Sequence, residues 1–372
     1  MKVCILTSAH SAFDDRIFDK EAKSLARVGY EVTLIVPYGH DEVVDGVLIK
    51  SVPRAGGRVS RMTRTVWNVY REALRQDADI YHFHDSELIP VGLLLTARGK
   101  KVIYDVHDSL PRQMLVKDYL PGWLRKPLAQ SIEWIEDFAA PRFSSIVTAQ
   151  VALAQRFTAL NPRTICVANF ALLEEFPACG ECTWSARPHA IAYVGGISLQ
   201  RGLREMVEAV SLLPEALHPK LKLAGEFFPD NLRNELGRMK GVERVEVLGF
   251  LDRTGVVNVL RQARVGLSIL HSTPNHLISW PTKVFEYMCA GIPVIVSDFL
   301  LWTEIVKGAR CGLAVDPLDT KQIAQAMEYL LTHPEEAEAM GRRGREAVEK
   351  KYNWATEGKK LLALYEEVLA NA

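Results

Sequence analysis

Two series of short apolar runs, each separated from the next by a helical pattern, constrain this chain more than any other feature. In the first half KVCILT, EVTLIV, ADIYHFH, KVIYDVH, SSIVTA and TICVAN follow one another, with amphipathic stretches such as DRIFDKEAKSLARVG between them. In the second half HAIAYVG, KLKLAG, VERVEVLG, VGLSIL, PVIVSD and GLAVDP alternate with LREMVEAVSLL, TGVVNVLRQA and DTKQIAQAMEYLLTH. Strands apolar on both faces belong to parallel sheets covered by helices on each side, and βαβ order winds such sheets. The pattern predicts an α/β chain of two doubly wound, Rossmann-like domains facing a cleft. Between the series, ALLEEFPACGECTWSARP loses its periodicity to Pro, Gly and charge. Residues 1–170 are therefore expected to form the first domain, 171–188 a linker, 189–352 the second domain and 353–372 a closing helix after a break at Tyr352-Asn353-Trp354.

Lys and Arg number 45 against 45 Asp and Glu, so the formal charge is zero and nothing in the balance points to a nucleic-acid partner. No run approaches the roughly 20 apolar residues that span a bilayer. MKVCILTSAH is too short for a signal-peptide core, so a cytoplasmic protein is expected. Of the six cysteines only Cys179 and Cys182 form a close pair, half a zinc site without its other half, and all read as free thiols. Arg54, Arg58, Arg61, Arg64 and Arg71 crowd one stretch, and Arg112, Lys117, Arg125 and Lys126 lie near Trp123. These describe either a solvated basic face or one for peripheral contact with an anionic membrane.

Three stretches carry chemistry. In PTKVFEYMCAGIPVIV, Pro281 suits a helix start and Gly291 its end, which puts Lys283 and Glu286 on one face of the first turn. A lysine there opposes the helix dipole unless an anion is bound. In YVGGISLQRGL, Gly195 and Gly196 follow a strand and let backbone approach a phosphate, with Arg201 at the next helix start as the opposite charge. The turn is neither GxGxxG nor a Walker loop. Finally, YHFHDSEL places His82 and His84 on one strand face with Asp85 and Glu87 beyond, and VIYDVHDSLP pairs Asp105 with His107. Metal ligation is open to such residues. Histidines at strand ends that hydrogen-bond a polar ligand are the preferred reading, with a satisfied core histidine the alternative for His82.

Together the glycine turn, the basic residue before the next glycine and the E-Y-M-x-A-G-x-P-V-I helix resemble the family-4 glycosyltransferases of the GT-B fold. HDSELIPVGLLL and KVIYDVHDSLPRQ resemble the HDxELLPxGLLL and YDxHE segments of one bacterial polysaccharide and glycoconjugate branch. The resemblance implies retaining transfer of a sugar from a nucleotide diphosphate sugar, with uridine, guanosine and adenosine left open, to a glycan or lipid-linked acceptor. It implies no metal and no further cofactor. By resemblance Glu286 accepts from the ribose hydroxyls, while Lys283 and Arg201, with Gly195 and Gly196, hold the diphosphate and assist its departure. His107 would hydrogen-bond the transferred sugar or support its developing charge through the backbone carbonyl. Asp14, Asp15, Arg16, His84, Asp85 and Glu87 would line the acceptor side, and the last helix would return to the first domain and give Trp354 a partner. Two positions depart from the family: Ile278 stands where it has a glutamate, and Gly196 where it commonly has an arginine. A nucleotide-sugar epimerase of the same fold and a non-catalytic nucleotide-sugar binder are the alternatives.

Overall fold

The computed structural model describes residues 1–117, 120–177, 184 and 187–370. Their contacts divide into two compact units, Met1–Asn169 joined by the segment from Ala355 onward, and Phe170–Trp354.

The first unit is built on β1 (Lys2–Leu6), β2 (Glu31–Pro37), β3 (Glu42–Val44), β4 (Val47–Val52), β5 (Ile80–Phe83), β6 (Lys101–Val106), β7 (Ser145–Thr148) and β8 (Thr164–Cys166). They lie in the order β3-β4-β2-β1-β5-β6-β7-β8, parallel except for β3 against β4. Winding starts at β1 and proceeds to both sides, so the switch point of the sheet falls between β1 and β5. The β3–β4 hairpin is an addition to the sequence expectation. It turns on Asp45-Gly46, both with positive φ, 50° and 80°, as a tight hairpin between alternating apolar residues requires. On one face Phe83 stacks on Tyr104 with centroids 4.6 Å apart, and Phe143 meets Phe83 edge-on at 5.3 Å. From the helix Trp354–Ala370 this unit buries Leu361, Leu364, Tyr365 and Val368.

The second unit carries β9 (Ala190–Val194), β10 (Lys220–Ala224), β11 (Val245–Gly249), β12 (Val265–Ser268), β13 (Val294–Ser297) and β14 (Gly312–Val315), all parallel in the order β11-β10-β9-β12-β13-β14. Its switch point lies between β9 and β12. The domain boundary falls differently from the sequence expectation: Phe170, expected to close the first domain, packs on Phe285, Trp280 and Tyr352 at 4.6, 5.4 and 5.5 Å, and Phe176, in the expected linker, is buried. Apolar residues hidden among Pro, Gly and charge draw this segment into the second unit's core. Trp354 also belongs to that unit, its amide donating to the Ala171 carbonyl at 3.1 Å, while the rest of its helix belongs to the first. Cys4, Cys166, Cys289 and Cys311 are free thiols; Cys179 and Cys182 lie outside the described residues. Among the described residues no helix is long and apolar enough to cross a membrane.

Candidate active site

In the second unit β9 ends at Gly195-Gly196, where Gly195 has φ +115°. A side chain at Gly195 would run into Lys283, with a Cβ only 2.8 Å from Nζ. The lysine therefore lies across the bare backbone of the turn. It comes from the first turn of the helix Thr282–Cys289, which Tyr287 pins to the sheet: its hydroxyl donates to the Leu267 carbonyl at 3.0 Å and accepts from the Val194 amide at 3.2 Å. Arg201, in the short turn Leu199–Arg201, reaches the same place and donates from Nη1 to the Gly196 carbonyl at 3.4 Å. That carbonyl also accepts from the Tyr193 hydroxyl at 2.7 Å. Lys283 Nζ stands 5.5 Å from the centre of the Tyr193 ring. Burial first, and then the charge of Arg201, pull the Lys283 ammonium down to about 7. The structure thus brings Gly195, Gly196, Arg201 and Lys283 together, two cationic side chains meeting over a glycine turn at a strand's carboxyl end. That is the make-up of an anion site.

Glu286 sits one turn along the same helix, and its Oε1 accepts from Arg253 Nη1 at 2.7 Å. Arg253 also binds Glu175, through Nε at 3.1 Å and through Nη2. Neither Arg253 nor Glu175 is visible as a site residue in the sequence. They are 78 positions apart and fall in no motif. Farther along the strand ends, after β10 and β11, a cavity of about 430 Å³ is walled by Phe227, Phe228 and Phe250 with Asp230 and Arg233 at its side. Phe228 and Phe250 are 56% and 75% exposed. Phe228 reaches Gly196, where a Cβ would meet its ring at 3.4 Å.

In the first unit the sequence-predicted residues separate into an inner and an outer group. Arg16 was expected on the acceptor side, but it is 3% exposed. Its guanidinium donates from Nη2 to Asp105 at 2.8 Å and from Nη1 to the Val167 carbonyl at 2.8 Å, and its Nε lies 2.9 Å from Glu21. His84 is buried as well, its Nδ1 2.9 Å from His107 Nε2. Asp85 is 7% exposed and accepts from the Thr7 hydroxyl and the Ser8 and Ala9 amides at 2.7, 2.6 and 3.1 Å. All three, expected along the acceptor side, are buried and bonded within the unit, as a charge or imidazole inside a sheet must be. The outer group keeps some exposure. Asp14 caps the helix Asp15–Ala22 by accepting from the Arg16 and Ile17 amides, Asp15 pairs with Lys20 at 2.6 Å, and Glu87 pairs with Arg61 at 2.7 Å.

Glu21, His82, His84 and Asp105 converge within 4.8 Å, a donor set that a divalent metal accepts. Arg16 already bridges both carboxyl groups and supplies the compensating charge there. Burial, and then the neighbouring Asp105, push Glu21 well above the usual carboxyl range, while Arg16 holds Asp105 well below it against its own burial. The cluster reads as a buried, ion-paired knot around the Arg16 guanidinium. His82 sits in it as the core histidine considered from the sequence, its Nδ1 2.7 Å from the Tyr365 hydroxyl. His107 stands at its outer edge with its side chain 20% exposed. Burial pulls it down to about 4 against the opposing field of Asp105, so its ring is neutral at pH 7. Its carbonyl accepts from Gln150 Nε2 at 3.3 Å.

Two wound sheets started from β1 and from β9, with two cationic side chains over a glycine turn beside the second switch point, define a GT-B fold. Residues 16–168 match the model described as Glycosyltransferase Family 4 and residues 183–347 the one described as Glycosyl transferases group 1, so that the two matches together make the chain a glycosyltransferase by its domains. It is 22% identical over 286 residues to glycogen synthase of Mycobacterium tuberculosis, covering 75% of this chain but 66% of that protein. It is 26% identical over 298 residues to phosphatidyl-myo-inositol mannosyltransferase of Mycobacterium leprae, covering 78% and 74%. Among solved structures, sucrose-phosphate synthase of Thermosynechococcus elongatus superposes with a TM-score of 0.79 at 16% identity over 100% of both chains. HepE of Anabaena, in complex with UDP and glucose, gives 0.74 at 12% identity over 99% of this chain and 100% of that one. At such identities these structures speak to the fold.

Proposed function

We propose that the protein is a retaining glycosyltransferase that moves a sugar from a nucleotide diphosphate sugar to a glycan or lipid-linked acceptor. The observation that carries this reading is the pair Lys283 and Arg201 laid over the Gly195-Gly196 turn. Two cations so placed are costly without an anion between them, and a diphosphate fills that need. Glu286 accepts from the ribose hydroxyls, with Arg253 fixing one of its oxygens. The cavity between Phe228 and Phe250 seats the nucleobase by stacking. A relative solved with UDP and glucose supports a nucleotide-sugar donor.

In the reaction the bond between the anomeric carbon and the leaving phosphate oxygen breaks, and the acceptor oxygen bonds to that carbon on the same face. The leaving phosphate takes the acceptor's proton. Lys283 and Arg201 neutralise the charge that builds on it, a role in which a fixed cation lowers a barrier by about 2 to 4 kcal/mol. This is why no metal is needed in the reading. His107, neutral at working pH, hydrogen-bonds the transferred sugar or turns its carbonyl towards the developing positive charge; it does not act as a proton donor. Asp14, Asp15 and Glu87 remain the acceptor-side candidates.

Thermal unfolding with UDP-, GDP- and ADP-sugars tests the donor half of this reading, since a ligand of the native state raises the transition temperature. Acceptor-dependent product separates transfer from epimerisation, and failure of every nucleotide to bind sinks both. Exposed Met62, Trp67 and Trp123, with Arg64, Arg71 and Lys126 also exposed, support peripheral contact with anionic lipid. Co-sedimentation with anionic vesicles at low salt tests that contact, and its absence removes it.

A further inference from the structure

The first unit has a cavity of about 430 Å³ where β1, β2 and β4 end. Its walls are Ser8, His10 and Ser11 from the loop after β1, Pro37 from the end of β2, and Arg54 and Arg61 from the segment after β4. In a chain with equal numbers of acids and bases, this wall presents two guanidinium groups, an imidazole and two hydroxyls, and it includes no carboxylate. The nearest carboxylates stand behind it and are occupied. Asp85 takes the loop's own amides and the Thr7 hydroxyl and lies 3.4 Å from His10 Nε2. Asp14 takes two helix amides and lies 3.2 Å from His10 Nδ1. Glu87, 12% exposed, accepts from Ser8 Oγ at 3.1 Å and lies 2.7 Å from Arg61 Nε.

The manner in which the two arginines are held decides what they can do. Arg61 is fixed through Nε on Glu87, and Arg54 is fixed through Nε on the Pro37 carbonyl at 3.4 Å. Among the described contacts both therefore keep their terminal nitrogens, the pair that grips a carboxylate or phosphate in a fork. We propose that this cavity seats an anionic group of the acceptor, a phosphate or a carboxylate, held by Arg54 and Arg61 with the Ser11 hydroxyl beside it. The proposal rests on the acceptor reading above and adds the acceptor's charge to it. It also divides the basic stretch that the sequence shows: Arg54 and Arg61 serve the cavity, whereas Arg64 and Arg71 are exposed and do not line it.

The test titrates the full chain with inorganic phosphate and with glucuronate in a calorimeter, in an Arg201→Gln/Lys283→Gln background so that the glycine turn of the second unit does not contribute. Saturable binding of at least one anion is expected, and the tighter one names the source of the charge. Arg54→Gln and Arg61→Lys, which removes the fork and keeps the charge beside Glu87, each weaken it roughly tenfold. Arg71→Gln, on the same basic stretch, leaves it unchanged. The proposal is overturned if neither anion saturates, or if Arg71→Gln weakens binding as much as Arg54→Gln does. UDP and GDP, titrated separately into the wild-type chain, read the donor site. Nucleotide binding without an anion response removes the cavity proposal alone, whereas an anion response without nucleotide binding removes the sugar-transfer reading and leaves an anion site.

Discussion

The two units place ionisable groups at the ends of very similar sheets and use them in opposite ways. In the first, Arg16, Glu21, Asp105, His82 and His84 are buried together, and Arg16 is ion-paired to both Glu21 and Asp105. In the second, Lys283 and Arg201 lie partly buried over a bare turn and share the Gly195-Gly196 backbone without a carboxylate between them. A closed network fixes shape, and what it offers outward is an edge such as His107. An uncancelled pair has little structural use, so its natural reading is as a receiver of charge. A titratable cluster becomes a candidate site through what its members lack, more than through how many there are.

Removing the centre of the closed network should have the largest effect. Arg16→Ala leaves two buried carboxyl groups without their cation and is expected to cost about 3–5 kcal/mol, read as a lower denaturant midpoint. A loss under 1 kcal/mol would show that the network is hydrated and break the contrast. On the open side, Lys283→Gln should raise the stability of the unliganded chain at pH 7, because burial and Arg201 disfavour the ammonium it removes, and weaken nucleoside diphosphate binding by about 1.5–3 kcal/mol, with much less effect on the nucleoside. Equal losses for both ligands would show that Lys283 does not meet phosphate.

The pH dependence is the next largest effect. Lys283 stands near 7 in the folded chain against an ordinary 10.5, so the unfolded chain holds a proton that the folded one has lost between those values. The unliganded protein's stability therefore gains from this group as pH rises from 7 towards 10.5. A bound diphosphate restores the charge, so nucleotide affinity should fall by up to about tenfold per unit as pH rises above 7. Calorimetry across that range, with Lys283→Gln as the flat control, measures it. The smallest effect is expected at Arg253. Arg253→Ala frees Glu286 from one partner and should weaken nucleotide binding by about 1 kcal/mol, with partial rescue by Arg253→Lys. Unchanged affinity would make the Glu175–Arg253–Glu286 chain purely structural.

The parallel strands of both sheets are legible in the sequence because each is a short run apolar on both faces, a local signal. The β3–β4 hairpin has a local signal too, Asp45-Gly46 between apolar residues, which lies outside the βαβ pattern. Lys283, Arg201 and the two glycines could be grouped in advance because helix starts and glycine turns at strand ends are local features with known electrostatics. Arg16 could not be placed: inside or outside depends on which carboxylates the winding brings near, and Asp105 lies 89 positions away. The same holds for Arg253, whose partners Glu175 and Glu286 come from the short 3-10 turn Leu173–Glu175 and from another helix.

The first unit takes its sheet from residues before 170 and one of its covering helices from residues after 354. Tyr365, which reaches His82 inside the buried network, is delivered only after the entire second unit has left the ribosome. A nascent chain halted before that helix would leave His82 without its hydroxyl partner and an oily strip open to chaperones, so the half translated first is the half that matures last.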